Sequence, residues 1–428
     1  MNQKRPVRGR SASPHPKKRS LSQPVLGLES RGESSVAPLL AAALEASIDT
    51  PTDELTHGFH SYPGRMHPHL AASLLREALP SRSRVIDPFC GGGTVLLEAM
   101  LQGHEVVGAD LNPLALRIAE VRCGRWGRGA RTRFLRALND VALRSEARVR
   151  SRTFVRAELP AEELRWYHPH VLKELAGLWE EIQEVEEDSL REAMEMVFSA
   201  MVVKFSRQRS ETSERDAEKR LRKGLVTEFF HRKGEELVAA WAECDRVLPR
   251  DVPPPRLVLS DVRDLPRLLH EEAPASLLLS SPPYGGTYDY FHHHARRYPW
   301  LGLAPEMASE IGARRFLSGE GALARWNHEL GGALRAMRSL LHRDGWMVLV
   351  LGDAQLEGRR IDASAQVEHL ASSADLRWVA TASVSRPDWT GRKPRREHVI
   401  ALQASERASA REGRRGSERR RSSAASRA

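Results

Sequence analysis

The stretch Arg84-Val-Ile-Asp-Pro-Phe-Cys-Gly-Gly-Gly-Thr94 decides the fold. Its apolar start, Arg84 to Asp87, predicts a short strand, and the three consecutive glycines predict a tight turn. Val95–Leu101 then has the composition of a helix, and Glu105–Asp110 predicts a second strand. Strand, glycine-rich turn, helix and strand indicate a βαβ unit, and therefore a parallel sheet.

The glycine-rich turn also predicts a ligand site. Glycines let the backbone approach a ligand closely, and the helix behind them offers free N–H groups. No lysine follows, which disfavours a phosphate loop, and the spacing is not GxGxxG. Asp110 ends the next strand, where a carboxylate can accept hydrogen bonds from a ribose diol, and Asp261 follows a third strand, where it can accept from an adenine amino group. These residues favour a turn that binds a nucleoside over an ordinary strand-to-helix turn without a ligand.

A second turn, Ser280-Ser-Pro-Pro-Tyr-Gly-Gly286, ends the apolar strand Ser276–Ser280. Proline fixes φ and pushes the residue before it towards extended backbone, so Ser281 and the Pro282 carbonyl are held with little freedom. Such a pair can accept both hydrogens of an exocyclic amine and free the nitrogen lone pair to attack a methyl group. Tyr284 offers a face for stacking on a base. The alternative is a rigid loop whose tyrosine belongs to the core.

Taken together, DPFCGGGT and SPPYG resemble the amino-methyltransferases that depend on S-adenosylmethionine, especially DNA methylases of the N4-cytosine/N6-adenine type. The resemblance covers roughly residues 57–124 and 256–403. It implies a doubly wound, Rossmann-like class I methyltransferase fold with a mostly parallel seven-stranded sheet. It implies S-adenosylmethionine as cofactor, held by Asp87, Pro88, Phe89, Cys90, Gly91, Gly93, Thr94, Asp110 and Asp261. The residues at the reacting amine would be Ser281, Pro282, Pro283 and Tyr284.

Upstream, residues 59–68 resemble the segment that closes over the methionine end of the cofactor in this family; the alternative is a polar loop leading into a helix. Downstream of the second turn, Asp289 and Tyr290 could help to hold the base or could serve packing. Cys90 lacks neighbours that would activate a thiol, and amino methylation needs no covalent nucleophile.

DNA is the expected substrate, but the target base stays open. SPPY is commonest in N4-cytosine enzymes, whereas the motif order here, with the cofactor turn first, is typical of a class dominated by adenine enzymes. RNA guanine-N2 methylases are the main alternative. Protein-glutamine methylases are a weaker alternative, because they usually carry NPPY, and a non-catalytic nucleic-acid binder is a third. The resemblance leaves a restriction–modification partner and the oligomeric state open.

The net charge of +10 lies in the chain ends. Residues 1–34 carry +6 and residues 404–428 carry +5, which leaves −1 for residues 35–403. Both tails are poor in apolar residues, so we expect them to be disordered. The two parts of the methyltransferase domain are expected at 35–124, for the cofactor, and at 251–403, for catalysis.

Between them, residues 125–250 predict a helical insertion, a candidate target-recognition region. It has no convincing strand pattern, and residues 162–185, 190–205 and 228–247 have helical spacing. Its charge is banded, with +9 over 122–156, −8 over 159–200 and +5 over 204–234. The basic bands could follow phosphates, or they could neutralise the acidic band.

The composition excludes several classes of protein. Three cysteines without a CxxC pair exclude a disulfide framework and a cysteine-type zinc module, and fit a reducing cytoplasm. No apolar run approaches the ~20 residues of a spanning helix, and the basic N-terminus lacks the apolar region of a signal peptide. The adjacent His292, His293 and His294 cannot converge on one ion from a helix, so no metal site is expected.

Overall fold

The computed structural model describes residues 26–78, 82–210, 213–387 and 394–405. The strands are β1 (Leu26–Gly32), β2 (Arg84–Asp87), β3 (Glu105–Asp110), β4 (Gln208–Ser210), β5 (Ser213–Asp216), β6 (Arg256–Leu259), β7 (Ala275–Ser280), β8 (Leu341–Gly352), β9 (Ala354–Leu356), β10 (Arg359–Ile361), β11 (Leu376–Pro387) and β12 (Pro394–Ala404).

The α-helices are α1 (Ala37–Glu45), α2 (Pro68–Ala78), α3 (Thr94–Leu101), α4 (Pro113–Cys123), α5 (Arg128–Ser151), α6 (Ala161–Leu164), α7 (Pro169–Gln183), α8 (Asp188–Phe205), α9 (Leu225–Val247), α10 (Leu265–Leu268), α11 (Tyr290–His293), α12 (Tyr298–Leu301), α13 (Ala322–Leu340) and α14 (Ala363–Ala371). Short 3₁₀ helices lie at Leu55–Gly58, Met307–Ser309 and Ser372–Ala374. No helix of the described residues combines the length and the apolar character needed to cross a membrane.

The central sheet has the strand order β1-β11-β12-β8-β7-β2-β3-β6. Strands β6, β3, β2, β7 and β8 run parallel, and β12 pairs antiparallel with both β8 and β11. The order reverses between β2 and β7, which pair directly at Ile86 and Leu278. This topology confirms the doubly wound class I methyltransferase fold. In such sheets ligands bind beyond the carboxyl ends of the strands at the point of reversal.

Both faces of the sheet are covered, as a parallel sheet requires. Helices α1, α2 and α3 pack on one face, in a core that contains Leu44, Leu75 and Leu97. Helices α13 and α14 pack on the other, around Trp326 and Met337. The apolar runs of β7 and β8 belong to both cores, which explains why their sequences are continuously apolar rather than alternating.

The sheet has eight strands rather than the seven expected, because β1 pairs antiparallel with β11 at its edge. The expectation of disorder over residues 1–34 is therefore wrong for 26–34. Backbone hydrogen bonds to the edge strand hold β1, and the Arg31 guanidinium lies 4.5 Å from the centre of the Trp378 ring and 2.7 Å from Glu368 Oε2. Residues 1–25 lie outside the described residues. So do 406–428 of the second tail, whereas Ala404 still belongs to β12.

Helices α5 to α9 form a layer whose apolar residues share one core with α4. Trp126 and Trp241 stack there with ring centres 4.0 Å apart. The helix expected over 162–185 is divided into α6 and α7, because Pro169 cannot continue a helix and begins a new one at its first position. The short hairpin β4–β5 is a further correction, since no strand was expected in this region.

Part of the charge in this layer is neutralised internally. Arg144 and Arg148 of α5 both bond to Glu181 of α7, each with a nitrogen–oxygen distance of 2.5 Å. Arg133 of α5 meets Glu187 at 3.0 Å. The basic band of α5 thus faces the acidic band along much of its length.

Candidate active site

The glycine-rich turn joins β2 to α3 at the point of strand reversal. Gly91 and Gly93 have φ of +49° and +82°, which side chains with a Cβ rarely adopt. A Cβ on Gly91 would also lie 2.9 Å from Cε1 of Tyr62. The glycines therefore serve both the backbone geometry of the turn and the close approach of the tyrosine from the upstream segment.

Asp110 holds this turn in place. Its Oδ2 accepts a hydrogen bond of 2.8 Å from Gly91 N, and its Oδ1 accepts one of 2.8 Å from Asn112 N. Burial raises the pKa of Asp110 to about 6, although the backbone donors oppose the rise. Each carboxylate oxygen keeps a second lone pair, so the group can still accept from ligand hydroxyls.

The second turn is bonded directly to the first. Ser280 Oγ donates to Asp87 Oδ1 at 2.6 Å, across 193 residues of sequence. Burial raises the pKa of Asp87 to about 7, against the opposing effect of its hydrogen bonds from Ser280 and from Phe89 N. Ser281 Oγ donates to the Val350 carbonyl at 3.1 Å, which orients the hydroxyl and leaves its lone pairs available as acceptors.

A cavity open to solvent lies between the two turns. Most of the predicted residues line it: Asp87, Pro88, Phe89, Cys90, Gly91, Thr94, Asp110, Asp261, Ser281 and Pro283. Gly93, Pro282 and Tyr284 are not among its lining residues.

Tyr284 lies on the far side of the second turn. Its hydroxyl donates to Glu397 Oε1 at 3.0 Å, and the Arg395 guanidinium lies 4.9 Å from the ring centre. A Cβ on Gly352 would come within 2.8 Å of the ring, so β8 passes close beside it. The tyrosine face on which a base was expected to stack is therefore partly occupied by protein groups.

Asp261 lies at the cavity as expected, but its carboxylate is engaged. Oδ1 accepts from Arg263 Nε at 2.9 Å, and Oδ2 accepts from Arg263 Nη2 at 2.5 Å. Contact of Asp261 with an adenine amino group would use the lone pairs that this fork leaves open.

The upstream segment forms one wall of the cavity, from Tyr62 to Met66. A Cβ on Gly64 would lie 2.8 Å from the Tyr290 hydroxyl, so this wall meets the residues that follow the second turn. Tyr290 lines the cavity, whereas Asp289 accepts from Arg315 N at 3.0 Å. Of the two residues weighed for base contact, Tyr290 is at the site and Asp289 holds a neighbouring loop.

Arg122 is a candidate positioning residue that the sequence motifs did not indicate. It is 1% exposed, and its guanidinium donates to the backbone carbonyls of Gly92, Thr56, His57 and His60. It thus ties the glycine turn to the segment that leads into the upstream wall. Arg122 lies one helical turn after Ile118, on the apolar face of α4. This position in the sequence pattern distinguishes it from the surface arginines that follow.

Glu310 was also missed, because no motif marks the loop between α12 and α13. It lines the cavity and accepts from Tyr290 N at 2.7 Å. Burial raises its pKa, while Arg315 opposes the rise.

The remaining expectations concern thiols and metals. Burial raises the pKa of the Cys90 thiol, as for a packing residue rather than a nucleophile. Within the described residues, the group of side chains close enough to share an ion is Asp353, Asp362 and His398, not the histidines 292–294. Asp353 already accepts from His398 Nε2 at 2.8 Å and from Arg360 Nε at 2.7 Å, so these groups pair with one another.

Comparisons with known proteins show similarity to methyltransferases. The UPF0020 family model, described as an RMKL-like methyltransferase domain, matches residues 59–157. Type II methyltransferase M.MvaI of Kocuria varians is 40% identical over 78 residues, 18% of this chain and 17% of its own. A tRNA (guanine(10)-N2)-dimethyltransferase of Methanothermobacter thermautotrophicus is 46% identical over 52 residues, 12% of this chain and 16% of its own. The chain thus matches less than a fifth of the length of these relatives.

Among solved structures, the rRNA methyltransferase aviRa of Streptomyces viridochromogenes aligns with 83% of this chain and 94% of its own at 16% identity, with a TM-score of 0.32. That similarity is low, and the fold follows from the strand order of the chain itself.

The methyltransferase match and the fold imply S-adenosylmethionine as the methyl donor. The residues present fit such a ligand. The glycine turn forms a cradle that a Cβ at Gly91 would narrow. At the first position of α3, Thr94 lines the cavity with a buried Oγ1 that has no hydrogen-bond partner among the described residues. Together with the Asp110 carboxylate, the site offers both donors and acceptors for the hydroxyls and amino-acid end of the molecule.

Proposed function

We propose that this protein methylates an exocyclic base amine in DNA, at cytosine N4 or adenine N6. The observation that carries the proposal is the bond between Ser280 and Asp87, which brings the second turn to the cavity beside the glycine turn. Ser281 lines the same cavity as Asp110, so an amine held at Ser281 would lie next to a cofactor held by Asp110.

The cofactor would bind between the glycine turn and the upstream wall. Asp110 would accept hydrogen bonds from the ribose hydroxyls, and Asp261 would meet the adenine end. Thr94 and the free N–H groups at the start of α3 would meet the amino-acid end. Bound S-adenosylmethionine supplies an electrophilic methyl group. Arg122 would act as a positioning residue, because it bonds to the carbonyls on both sides of this gap.

The amine would be held by Ser281 Oγ and the Pro282 carbonyl. Their hydrogen bonds draw electron density from the N–H bonds towards the nitrogen lone pair, which attacks the methyl carbon. The nitrogen would gain the methyl group as the bond between that carbon and the donor sulfur breaks. The bonding electron pair would stay on the sulfur of the departing S-adenosylhomocysteine, and the methylated nitrogen would release one proton to solvent. Pro282 and Pro283 restrict the backbone, so the acceptors are oriented before the base arrives, and positioning of this kind supplies much of a rate enhancement.

A base inside a duplex cannot reach this cavity, so it must leave the stack, at a cost of a few kcal/mol. Tyr284 would repay part of that by contact with the base. Because the Arg395 guanidinium lies over the Tyr284 ring, we expect the Arg395 side chain to move away when the base enters.

RNA is the second candidate substrate. The specific observation in its favour is the 46% identity over 52 residues to a protein named as a tRNA (guanine(10)-N2)-dimethyltransferase. The type II methyltransferase match is longer, at 78 against 52 residues, and favours DNA. A cognate nuclease is part of the DNA proposal only.

The proposal is tested by incubation with labelled S-adenosylmethionine and either DNA or total RNA, followed by digestion to nucleosides. We expect label in N4-methylcytosine or N6-methyladenine from DNA. Label confined to RNA guanine would contradict the DNA assignment. Failure to bind the cofactor in calorimetry would favour a non-catalytic binder.

A further inference from the structure

Aromatic rings and cationic side chains are concentrated at one end of the helical layer. Of the eight cation–π contacts among the described residues, five lie there: Arg165 and Arg296 at Trp166, Lys173 at Phe154, and Lys204 and Arg232 at Phe229. Contacts of this kind occur roughly once per 70–80 residues in proteins, so the concentration is unusual. We call the part formed by Arg165, Trp166, Lys204, Phe229, Arg232 and Arg296 the basic–aromatic surface.

Phe229 brings two cations close to one ring. Lys204 Nζ lies 3.7 Å and Arg232 Cζ 4.7 Å from the ring centre, and both side chains are exposed. The carboxylate of Glu236 lies 3.8 Å from Arg232 Nε, a distance that allows ion pairing without a strong hydrogen bond. The ring restricts both long side chains, so less rotamer entropy is lost when an anion binds them.

Trp166 extends this arrangement towards the rest of the protein. The Arg296 guanidinium lies 4.6 Å from its ring centre and is ion-paired with the buried Glu163 carboxylate, so it helps to hold Trp166 in place. The Trp166 carbonyl accepts from Arg207 N at 2.6 Å. Arg207 follows Lys204 by three residues, so the Trp166 and Phe229 groups adjoin at the end of α8.

Buried contacts connect the elements that carry this surface with the segment that leads into the upstream wall of the candidate active site. Ser199 of α8 bonds to His60 of the upstream segment at 3.0 Å, and its carbonyl accepts from Arg297 Nε at 3.0 Å. Lys204 lies five residues further along α8, or roughly 7.5 Å. Arg296 follows Tyr290, which lines the cavity, by six residues. A strand whose base occupies the cavity would therefore pass near these cations.

We infer that the basic–aromatic surface binds the phosphodiester backbone of the DNA strand beside the target base. This inference rests on the proposed function. Lys204 and Arg232 belong to the stretch 204–234, which carries a formal charge of +5 against −1 for residues 35–403 as a whole, so this part of the helical layer attracts a polyanion. The half-buried Phe229 and Trp166 rings already carry these cations, so their part in the inference is to hold the cationic side chains at the surface.

The test compares two double variants of the full-length protein that lose the same charge. Lys204→Gln with Arg232→Gln changes the surface but keeps both side-chain stems. Arg128→Gln with Arg136→Gln changes exposed arginines of α5, and Arg128 lies roughly 25 Å along that helix from Ser145, which bonds to Thr227, two residues before Phe229. Binding to a DNA duplex is measured by fluorescence anisotropy from 50 to 200 mM salt, with catalytic transfer measured in parallel.

We expect the first variant to reduce the slope of log K against log salt by about 2, because two phosphate contacts are lost, and the second to leave it within about 0.5 of the native slope. Equal slopes for the native protein and the first variant, with DNA methylation intact, would overturn the inference and leave the proposed function standing. Equal losses in both variants would also overturn it, since the attraction would then depend on total charge. A native protein that methylates RNA but not DNA would contradict the proposed function itself.

Discussion

At the scale of single residues, the site depends on buried polar groups that bond to the backbone. The Asp110 carboxylate accepts hydrogen bonds from Gly91 N and Asn112 N. The Arg122 guanidinium donates to carbonyls of the glycine turn and of the segment that leads into the upstream wall. Asp110 could be found from the sequence because it ends a strand in a recognisable motif. Arg122 could not, because its role depends on which residues fold against α4, and the arginines that follow it conceal the difference.

Asp110 makes cofactor affinity depend on pH. Burial raises its pKa to about 6 in the free protein, and ligand hydroxyls bind the ionised form better. We therefore expect the Asp110 contribution to the dissociation constant for S-adenosylmethionine to be constant above about pH 7. As the pH falls through about 6, this contribution should weaken binding by up to about ten-fold per unit once the group is mostly protonated. Isothermal titration calorimetry from pH 5 to 8 measures this.

Asp87 lines the same cavity, and its pKa is about 7, so the native curve contains both groups. The Asp110→Asn variant is the control, since it should bind more weakly at pH 8 and lose the part of the dependence centred near pH 6. A native affinity that does not change from pH 8 to 5 would refute the role of Asp110.

At the scale of elements, strands and helices with strong apolar patterns were predictable, and polar ones were not. β2, β3, β7 and β8 lie where the apolar runs indicated. β1 has mostly polar, exposed residues and forms because the edge of β11 offers hydrogen-bonding groups, which is a tertiary effect. The division between α6 and α7 was visible at Pro169, but helical composition on both sides concealed it.

Packing between β3 and α3 gives a test at this scale. A Cβ on Gly108 would lie 2.5 Å from Leu96 Cδ1, inside a closed core, so we expect Gly108→Ala to lower the free energy of unfolding by about 1–3 kcal/mol. Gly129 in α5 is the matched control, because a Cβ there meets only Arg133 Nη1 at 3.8 Å and alanine favours the helix. Gly129→Ala should raise stability by up to about 1 kcal/mol.

Urea denaturation of the two variants and the native protein measures both changes. If the Gly108→Ala variant were as stable as the native protein, the claim that β3 packs closely against α3 would be wrong. The claim that this packing supports the glycine turn would be wrong with it.

At the scale of the whole molecule, the site is assembled from segments about 190 residues apart, and the helical layer supplies the charge beside it. The sequence motifs were sufficient to indicate which turns meet, because parallel strands place their carboxyl ends at one edge. They could not indicate that Tyr284 faces Arg395 and Glu397, since that depends on the packing of β12 against β8. Nor could the net charge locate a surface, because Arg144 and Arg148 of α5 pair with Glu181 of α7, and Arg133 pairs with Glu187 just before α8.

The central claim is that Ser281 holds the reacting amine beside the cofactor. Ser281→Ala removes the acceptor and also leaves the Val350 carbonyl without this hydrogen bond, a loss of about 1 kcal/mol that should not unfold the protein. Ser281→Asn, which keeps an oxygen acceptor, is the control and should retain part of the activity.

The most direct measurement is single-turnover transfer of labelled methyl to DNA, combined with calorimetric titration of S-adenosylmethionine. For Ser281→Ala the account predicts an unchanged dissociation constant and a rate lower by about 10²-fold or more, as for the loss of a positioned polar group. A rate equal to that of the native protein would contradict it.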